Sequence, residues 1–224
     1  KLLVKSNIEN IINDIRTSTY KKYKIIDIPK NILLDYYNLI TSIISDQSLT
    51  IYLLHIISRE INNSSSIEKE LLLSLLPQFY VPFMNADISL TDPYLSRILT
   101  SLQSNILSDI SPLYIAEIYK KIIINIFKGD EDFNVNISLI NKDLFEICHG
   151  FCLYNMKLNQ YNNQLCGIAC LNFLLNEIDF SFLNINNYVL YIWEKVELFL
   201  NSKDFAPKEY LLKYLYDLIS KFKI

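Results

Sequence analysis

The chain has 224 residues, of which 51% are hydrophobic and 20% are charged, and its formal net charge is −3. Its basic residues are scattered, which argues against nucleic-acid binding as the main role, because a phosphate-binding surface needs a concentrated basic patch. No stretch reaches the roughly 18 consecutive apolar residues of a transmembrane helix, so we predict no membrane partner and expect the protein in the cytoplasm or the nucleus.

Apolar residues recur three or four positions apart along the chain, which is the spacing of amphipathic helices. In the first part of the chain Pro29 marks a helix start, and Ser65 with Glu68 forms a capping box. Pro77 and Pro82 are expected to kink or break the helix that this box opens. The helices predicted here are Leu2–Ile15, Lys30–Ser45, Ser48–Ile61 and one from the capping box to about Tyr80.

In the second part of the chain, Asp92-Pro93 and Ser111-Pro112 each combine a capping side chain with a proline in the first turn. After Pro93 the helical spacing continues to Ile110. The polar stretch Lys128–Val135 predicts an exposed loop. The remaining helices are predicted at Leu139–Leu153, Asn163–Ile178, Asn187–Asn201 and Pro207–Phe222.

This succession predicts an all-α fold of about nine or ten helices, because apolar spacing of two and hairpin dipeptides are rare or absent. The helix Leu165–Ile178 is apolar nearly all round, with a polar remnant at Asn172, Asn176 and Glu177. Such a helix needs neighbours on every side, and stacked antiparallel helical hairpins supply them. We expect a single domain over residues 1–224. Because the chain begins with Lys1, we also expect it to be part of a longer protein.

The segment QLCGIACLNFLLNEID, residues 164–179, resembles the second helix of a HEAT repeat. Its small residues Gly167, Ala169 and Cys170 would let helices approach closely. PKEYLLKYLYDLISKF, residues 207–222, is similar to it, and ELLLSLLPQFYVPFMNAD, residues 70–87, resembles a HEAT first helix with its proline kink. The resemblance implies a HEAT/armadillo-type superhelix.

Among proteins of this type, the general residue pattern of the sequence is most similar to that of phosphatase 2A-type scaffold and regulatory subunits. The resemblance implies a non-enzymatic scaffold or adaptor without a cofactor, whose protein partner would be a phosphatase catalytic subunit. A compact cyclin-like helical module and a cysteine-based metal or redox protein remain alternatives. In a helical repeat the partner would contact turns between paired helices, here at Asp46, Gln47, Asp87, Asp92, Asn159, Asn162 and Asn163.

The four cysteines form two pairs at one-turn spacing, Cys148 with Cys152 and Cys166 with Cys170. On helices each pair lies on one face. Four thiolates with His149 nearby could bind zinc, and two disulfides could join a helical hairpin. We predict instead that they are reduced core residues, because a free cysteine packs as a small apolar side chain.

No Ser-His-Asp arrangement, Walker loop or Gly-x-Gly-x-x-Gly run occurs, so we predict no catalytic residue and no enzymatic activity. Trp193 is the single tryptophan, and it is either a core residue or an interface anchor. The 16 tyrosines make a partner-binding face plausible, although the excess of Ile, Asn, Tyr and Lys is also typical of an AT-rich genome.

Overall fold

The computed structural model describes residues 54–55, 57–59, 61–62, 66–79, 91–106, 109–127, 137–181 and 183–223. Every regular element in these ranges is a helix and none is a strand, which confirms the predicted all-α class. No helix in them is long and apolar enough to cross a membrane. The helices predicted at Leu2–Ile15 and Lys30–Ser45 and the loop predicted at Lys128–Val135 lie outside these ranges, whereas the described residues of the helix predicted at Ser48–Ile61 are helical. By its internal contacts the chain divides into two compact units, Lys1–Asp87 and Ile88–Ile224.

The first unit contains helix α1, Ser66–Leu75, followed by a 3-10 turn, Leu76–Phe79. Pro77 lies inside this turn. Proline has no N–H to donate to the preceding turn, and its ring clashes with a continuing α-helix. The prediction that Pro77 interrupts this helix is therefore confirmed.

In its described residues the second unit contains helices α2 (Thr91–Gln103), α3 (Pro112–Phe127), α4 (Ile137–Lys157), α5 (Tyr161–Glu177), α6 (Ile185–Asn201) and α7 (Lys208–Phe222). Hydrogen bonds stabilise the predicted start of α3 and the start of α6, which lies two residues before the predicted Asn187. The backbone N–H of Ile115 donates to the carbonyl of Ser111, so α3 opens at Pro112. The side chain of Asn184 accepts from the backbone N–H of Asn187, 3.2 Å away, and caps α6.

Helix α2 ends at Gln103, earlier than the apolar spacing to Ile110 predicts. The Nδ2 of the buried Asn105 donates to the carbonyl of Ser101 over 2.7 Å. This side-chain donor takes the acceptor that a continuing helix would offer to the backbone N–H of residue 105. Ile106 and Ile110 are nevertheless buried, so the apolar pattern continues after the helix has ended.

Helix α5 lies at the centre of the second unit and packs against α3, α4 and α7. The other closely packed pairs are α2 with α3, α2 with α4, and α6 with α7. Each pair joins helices that are adjacent or next but one in the chain. The residues of α5 that are not buried include Asn172, Asn176 and Glu177, as predicted, and Glu177 forms an ion pair with Lys120 at 3.5 Å. The predicted burial of this helix on nearly every side is thus confirmed.

Helices α4 and α5 approach each other closely at Gly167. A Cβ atom at this position would lie 2.7 Å from the carbonyl oxygen of Cys152 and 2.9 Å from the backbone nitrogen of Met156. Both atoms belong to the backbone of α4, which cannot move aside as a flexible side chain can. The expectation that small residues of this segment allow close helix packing is therefore confirmed at Gly167.

Candidate protein-binding groove

Two cavities of about 550 and 350 Å³ lie between α4 and α6, which are not among the closely packed helix pairs. Tyr188 and Tyr191 of α6 line the first cavity, and Lys195 and Leu198 line the second. These positions are three or four apart and share one face of the helix. One face of α4 lines both cavities from Lys142 to Lys157, about 22 Å at ~1.5 Å per residue. We call this surface the α4–α6 groove.

The first cavity is lined by aromatic rings from both helices. The ring centroid of His149 on α4 lies 5.4 Å from that of Phe145 and 5.9 Å from those of Tyr188 and Tyr191 on α6. Phe145 and Tyr188 also meet edge to face at 5.6 Å. These side chains bridge the space between the two helices. Tyr191 remains 42% exposed, so the cavity has an aromatic wall that faces solvent.

His149 is the polar member of this cluster of aromatic rings. It is 6% exposed, and its Nε2 atom has no hydrogen-bond partner. Burial lowers the pKa of His149 to about 4, so the imidazole is neutral at pH 7. A buried nitrogen without a partner is costly to the fold.

We expect protonation of His149 to destabilise the protein as the pH falls. The unfolded chain binds this proton near pH 6.5, whereas the folded protein binds it near pH 4. Between these values the unfolded state holds more protons, so the free energy of unfolding falls by about 1.4 kcal/mol for each unit of decreasing pH. The full contribution of the neutral imidazole is present above pH 6.5. Urea denaturation at pH 7, 6 and 5 measures this slope.

The His149→Gln variant should lose this part of the pH dependence, whereas the matched variant at the exposed His55 should keep it. Because other groups titrate in the same range, the informative quantity is the difference in slope between the wild-type protein and each variant. Equal slopes for wild type and His149→Gln would contradict the assignment of this titration to His149.

The second cavity lies at the other end of the groove, and the turns that flank it are tied together by Gln164. The buried Gln164 Nε2 donates to the carbonyls of Leu158, at 3.0 Å, and Asp204, at 2.8 Å. Its Oε1 accepts from the backbone N–H of Ala206 at 2.9 Å. One side chain therefore joins the α4–α5 turn to the α6–α7 turn. Lys195 adds a positive charge to the lining of this cavity.

The residues predicted to contact a partner lie in different environments. Asn159 is exposed in the α4–α5 turn and lines the second cavity, and Asn162 is partly exposed. Asn163 is buried, and its Nδ2 donates to Oδ1 of Asn155 over 3.0 Å, so it stabilises the α4–α5 contact and is not part of the surface. Asp92 is the second residue of α2. The three others, Asp46, Gln47 and Asp87, lie outside the described residues.

The four cysteines are buried free thiols, as predicted for core residues. The Sγ of Cys152 lies 3.4 Å from the hydroxyl of Tyr119, and the Sγ atoms of Cys166 and Cys170 are 3.9 Å apart. Burial raises the pKa of the Cys148 and Cys170 thiols, which keeps them protonated. Within the described part of the chain, no group of three or more His, Cys, Asp or Glu side chains is placed to hold a metal ion.

Apart from Asn159, the groove residues are not among those predicted from the sequence. The spacing of Tyr188, Tyr191 and Leu198 would have placed them near one another on α6. It could not have shown that this side faces α4, because the pairing of helices is set by contacts distant in the chain. Trp193 is half exposed and does not line either cavity, so its interpretation as an interface anchor stays a prediction.

No family model, no curated protein and no solved structure matches the chain.

Proposed function

We propose that the protein is a non-enzymatic scaffold or adaptor that binds a protein partner in the α4–α6 groove. The observation that carries this proposal is the groove itself, with its aromatic and aliphatic lining and its polar rim. Grooves of this kind between helices receive amphipathic helices or extended segments of other proteins. Tyrosine is among the side chains that contribute most to binding at protein interfaces, and Tyr188 and Tyr191 both line the first cavity.

The order of helix packing also supports a scaffold. Helices α3, α5 and α7 pack in series, and α2 packs against α4. Close packing between neighbouring and next-but-one helices is what a stack of HEAT-like helical hairpins requires. We infer a phosphatase catalytic subunit as the first partner to test, because the sequence resembles phosphatase 2A-type subunits.

A compact cyclin-like module is the second candidate, since a central helix surrounded by others, as α5 is, also suits such a bundle. Small-angle scattering separates the two, because a stack of hairpins is longer than a globule of equal mass. A redox role is disfavoured because the protonated, buried thiols are poor nucleophiles.

Negative charges on the walls of the groove should weaken partner binding strongly. Tyr191 is 42% exposed and Leu198 is 65% exposed, so replacing both by glutamate should leave the fold intact. If they contact the partner, we expect the affinity to fall by about 30-fold or more, as for interface hot spots. Affinity purification from native lysate, followed by titration with the purified phosphatase catalytic subunit, measures the loss.

The matched control places the same charges on the outer side of α7, where Leu212 is 57% exposed and Tyr216 is 71% exposed. This double glutamate variant should bind the partner as the wild type does. Loss of binding in the control together with full binding by the groove variant would contradict the proposal and move the interface to α7.

A further inference from the structure

Helix α7 carries a line of apolar side chains that remains open to solvent. Leu212 is 57% exposed, Tyr216 is 71% exposed and Ile219 is 45% exposed. Their spacing of four and three residues places them next to one another along one side of the helix. Single apolar residues are common on protein surfaces, whereas a contiguous group of them is typical of an interaction site. We call these three residues the α7 stripe.

The position of α7 in the fold explains why the stripe is open. In the described part of the chain α7 is the last member of the series α3, α5 and α7, and it packs closely against α5 and α6. Leu211, Leu215 and Leu218 lie on the buried side of the helix. The last helix of a stack usually has a polar outer face. In α7 the outer side is apolar, so covering the stripe would remove apolar surface from water.

We infer that the α7 stripe binds the same stripe of a second copy of the chain, with the two helices antiparallel and the two Tyr216 side chains at the two-fold axis. The argument for this occupant is the pair of charges that flanks the stripe. Glu209 and Lys223 are both exposed, and each lies seven residues from Tyr216. Seven residues are about two helical turns, so both charges lie close to the side of the stripe.

The charge pattern of α7 is self-complementary in the antiparallel orientation. When the helices are centred on Tyr216, Glu209 of each copy lies opposite Lys223 of the other, and the symmetry gives two such pairs. A parallel pairing would place like charges opposite each other, which is repulsive. Among the described residues neither Glu209 nor Lys223 has an ion-pair partner, so both are available to a second copy.

The size of the interface predicts a weak dimer. From Glu209 to Lys223 the helix extends over about 21 Å, at ~1.5 Å per residue. Exposed ion pairs contribute little to affinity, so the apolar stripe supplies most of it and the charges set the orientation. We expect a dissociation constant of about 10–50 µM. No residue of the stripe lines either cavity, so the dimer would present two open α4–α6 grooves.

Sedimentation equilibrium of the chain at about 1–200 µM tests for the dimer. Tyr216→Glu places two negative charges at the two-fold axis and should weaken self-association by about 30-fold or more. Tyr154→Glu is the matched control, because Tyr154 lies on α4 outside the stripe and is 57% exposed. This control should self-associate as the wild type does. A wild-type monomer at the highest concentration, or equal association of wild type and Tyr216→Glu, would overturn the inference.

Exchanging the flanking charges tests the orientation. Glu209→Lys alone and Lys223→Glu alone each convert both ion pairs into pairs of like charge, and each should weaken self-association by about tenfold. A mixture of the two variants should associate as the wild type does, because every pair across that interface again joins opposite charges. Circular dichroism of each variant checks the fold. A mixture that associates no better than its components would show that the antiparallel pairing is wrong.

The dimer is separable from partner binding in the groove. The double glutamate variant at Leu212 and Tyr216 should be monomeric and should still bind the partner. A crosslink from position 216 that joins two copies of the chain would support the dimer. A different protein crosslinked from position 216, without self-association of the chain, would overturn the inference and assign the stripe to that protein.

Discussion

Replacing Gly167 by alanine is expected to lower the free energy of unfolding by about 2–3 kcal/mol. The added Cβ would lie 2.7 Å from the carbonyl oxygen of Cys152 and 2.9 Å from the backbone nitrogen of Met156. Relief requires α4 and α5 to separate, and this loosens the contacts of the central helix on that side. The gain in helix propensity from glycine to alanine, about 1 kcal/mol, offsets only part of the cost. Urea denaturation monitored by circular dichroism measures the change.

The matched control is Gly150→Ala, in the neighbouring helix α4. This glycine is exposed, and an added Cβ meets nothing within 4 Å. The helix propensity of alanine should therefore act alone and raise the free energy of unfolding by about 0.5–1 kcal/mol. Equal effects of the two substitutions would contradict the close α4–α5 approach at Gly167.

Replacing Gln164 by alanine is expected to cost about 3 kcal/mol. The substitution removes three hydrogen bonds, to the carbonyls of Leu158 and Asp204 and from the N–H of Ala206. Each lost bond contributes about 1 kcal/mol, and the backbone groups left behind are partly shielded from water. Because the variant frees the backbone N–H of Ala206 and removes the link between the two turns, these turns should exchange their amide protons faster. Hydrogen exchange at Ala206 reports this directly.

Gln160→Ala provides the comparison, four residues earlier in the chain. Gln160 is exposed at the start of α5, and its side chain makes no capping hydrogen bond. Its replacement should change the free energy of unfolding by no more than about 0.5 kcal/mol. A similarly small effect at Gln164 would show that the link between the two turns contributes little to the fold.

Local signals in the sequence predict much of the helical architecture. The Ser111-Pro112 start coincides with the first residue of α3, and the helix predicted at Pro207–Phe222 is observed as Lys208–Phe222. The all-round apolar pattern of α5 predicts its central position, because a helix without a polar face must be covered on every side. These features depend on residues that are close together in the chain, so a single sequence is sufficient to predict them.

The residue at which α2 ends and the position of the groove depend on contacts that the spacing of apolar residues does not reveal. The apolar spacing continues past Gln103, but the side chain of Asn105 satisfies the carbonyl of Ser101 and the helix stops. Asn159 and Asn163 belong to the same asparagine-rich segment, yet one is exposed and the other is buried against α4. Which side of a helix is covered follows from tertiary packing, and the sequence alone could not separate the two.

Photo-crosslinking from within the groove tests most sharply whether the partner binds between α4 and α6. A benzophenone amino acid is incorporated in place of Tyr191 in one sample and in place of Tyr216 on the outer side of α7 in another. Both positions are exposed, so both probes can reach a bound partner. We expect a crosslink from position 191 to one defined protein, at a stoichiometry far above that from position 216. A partner crosslinked from position 216 and not from position 191 would contradict it.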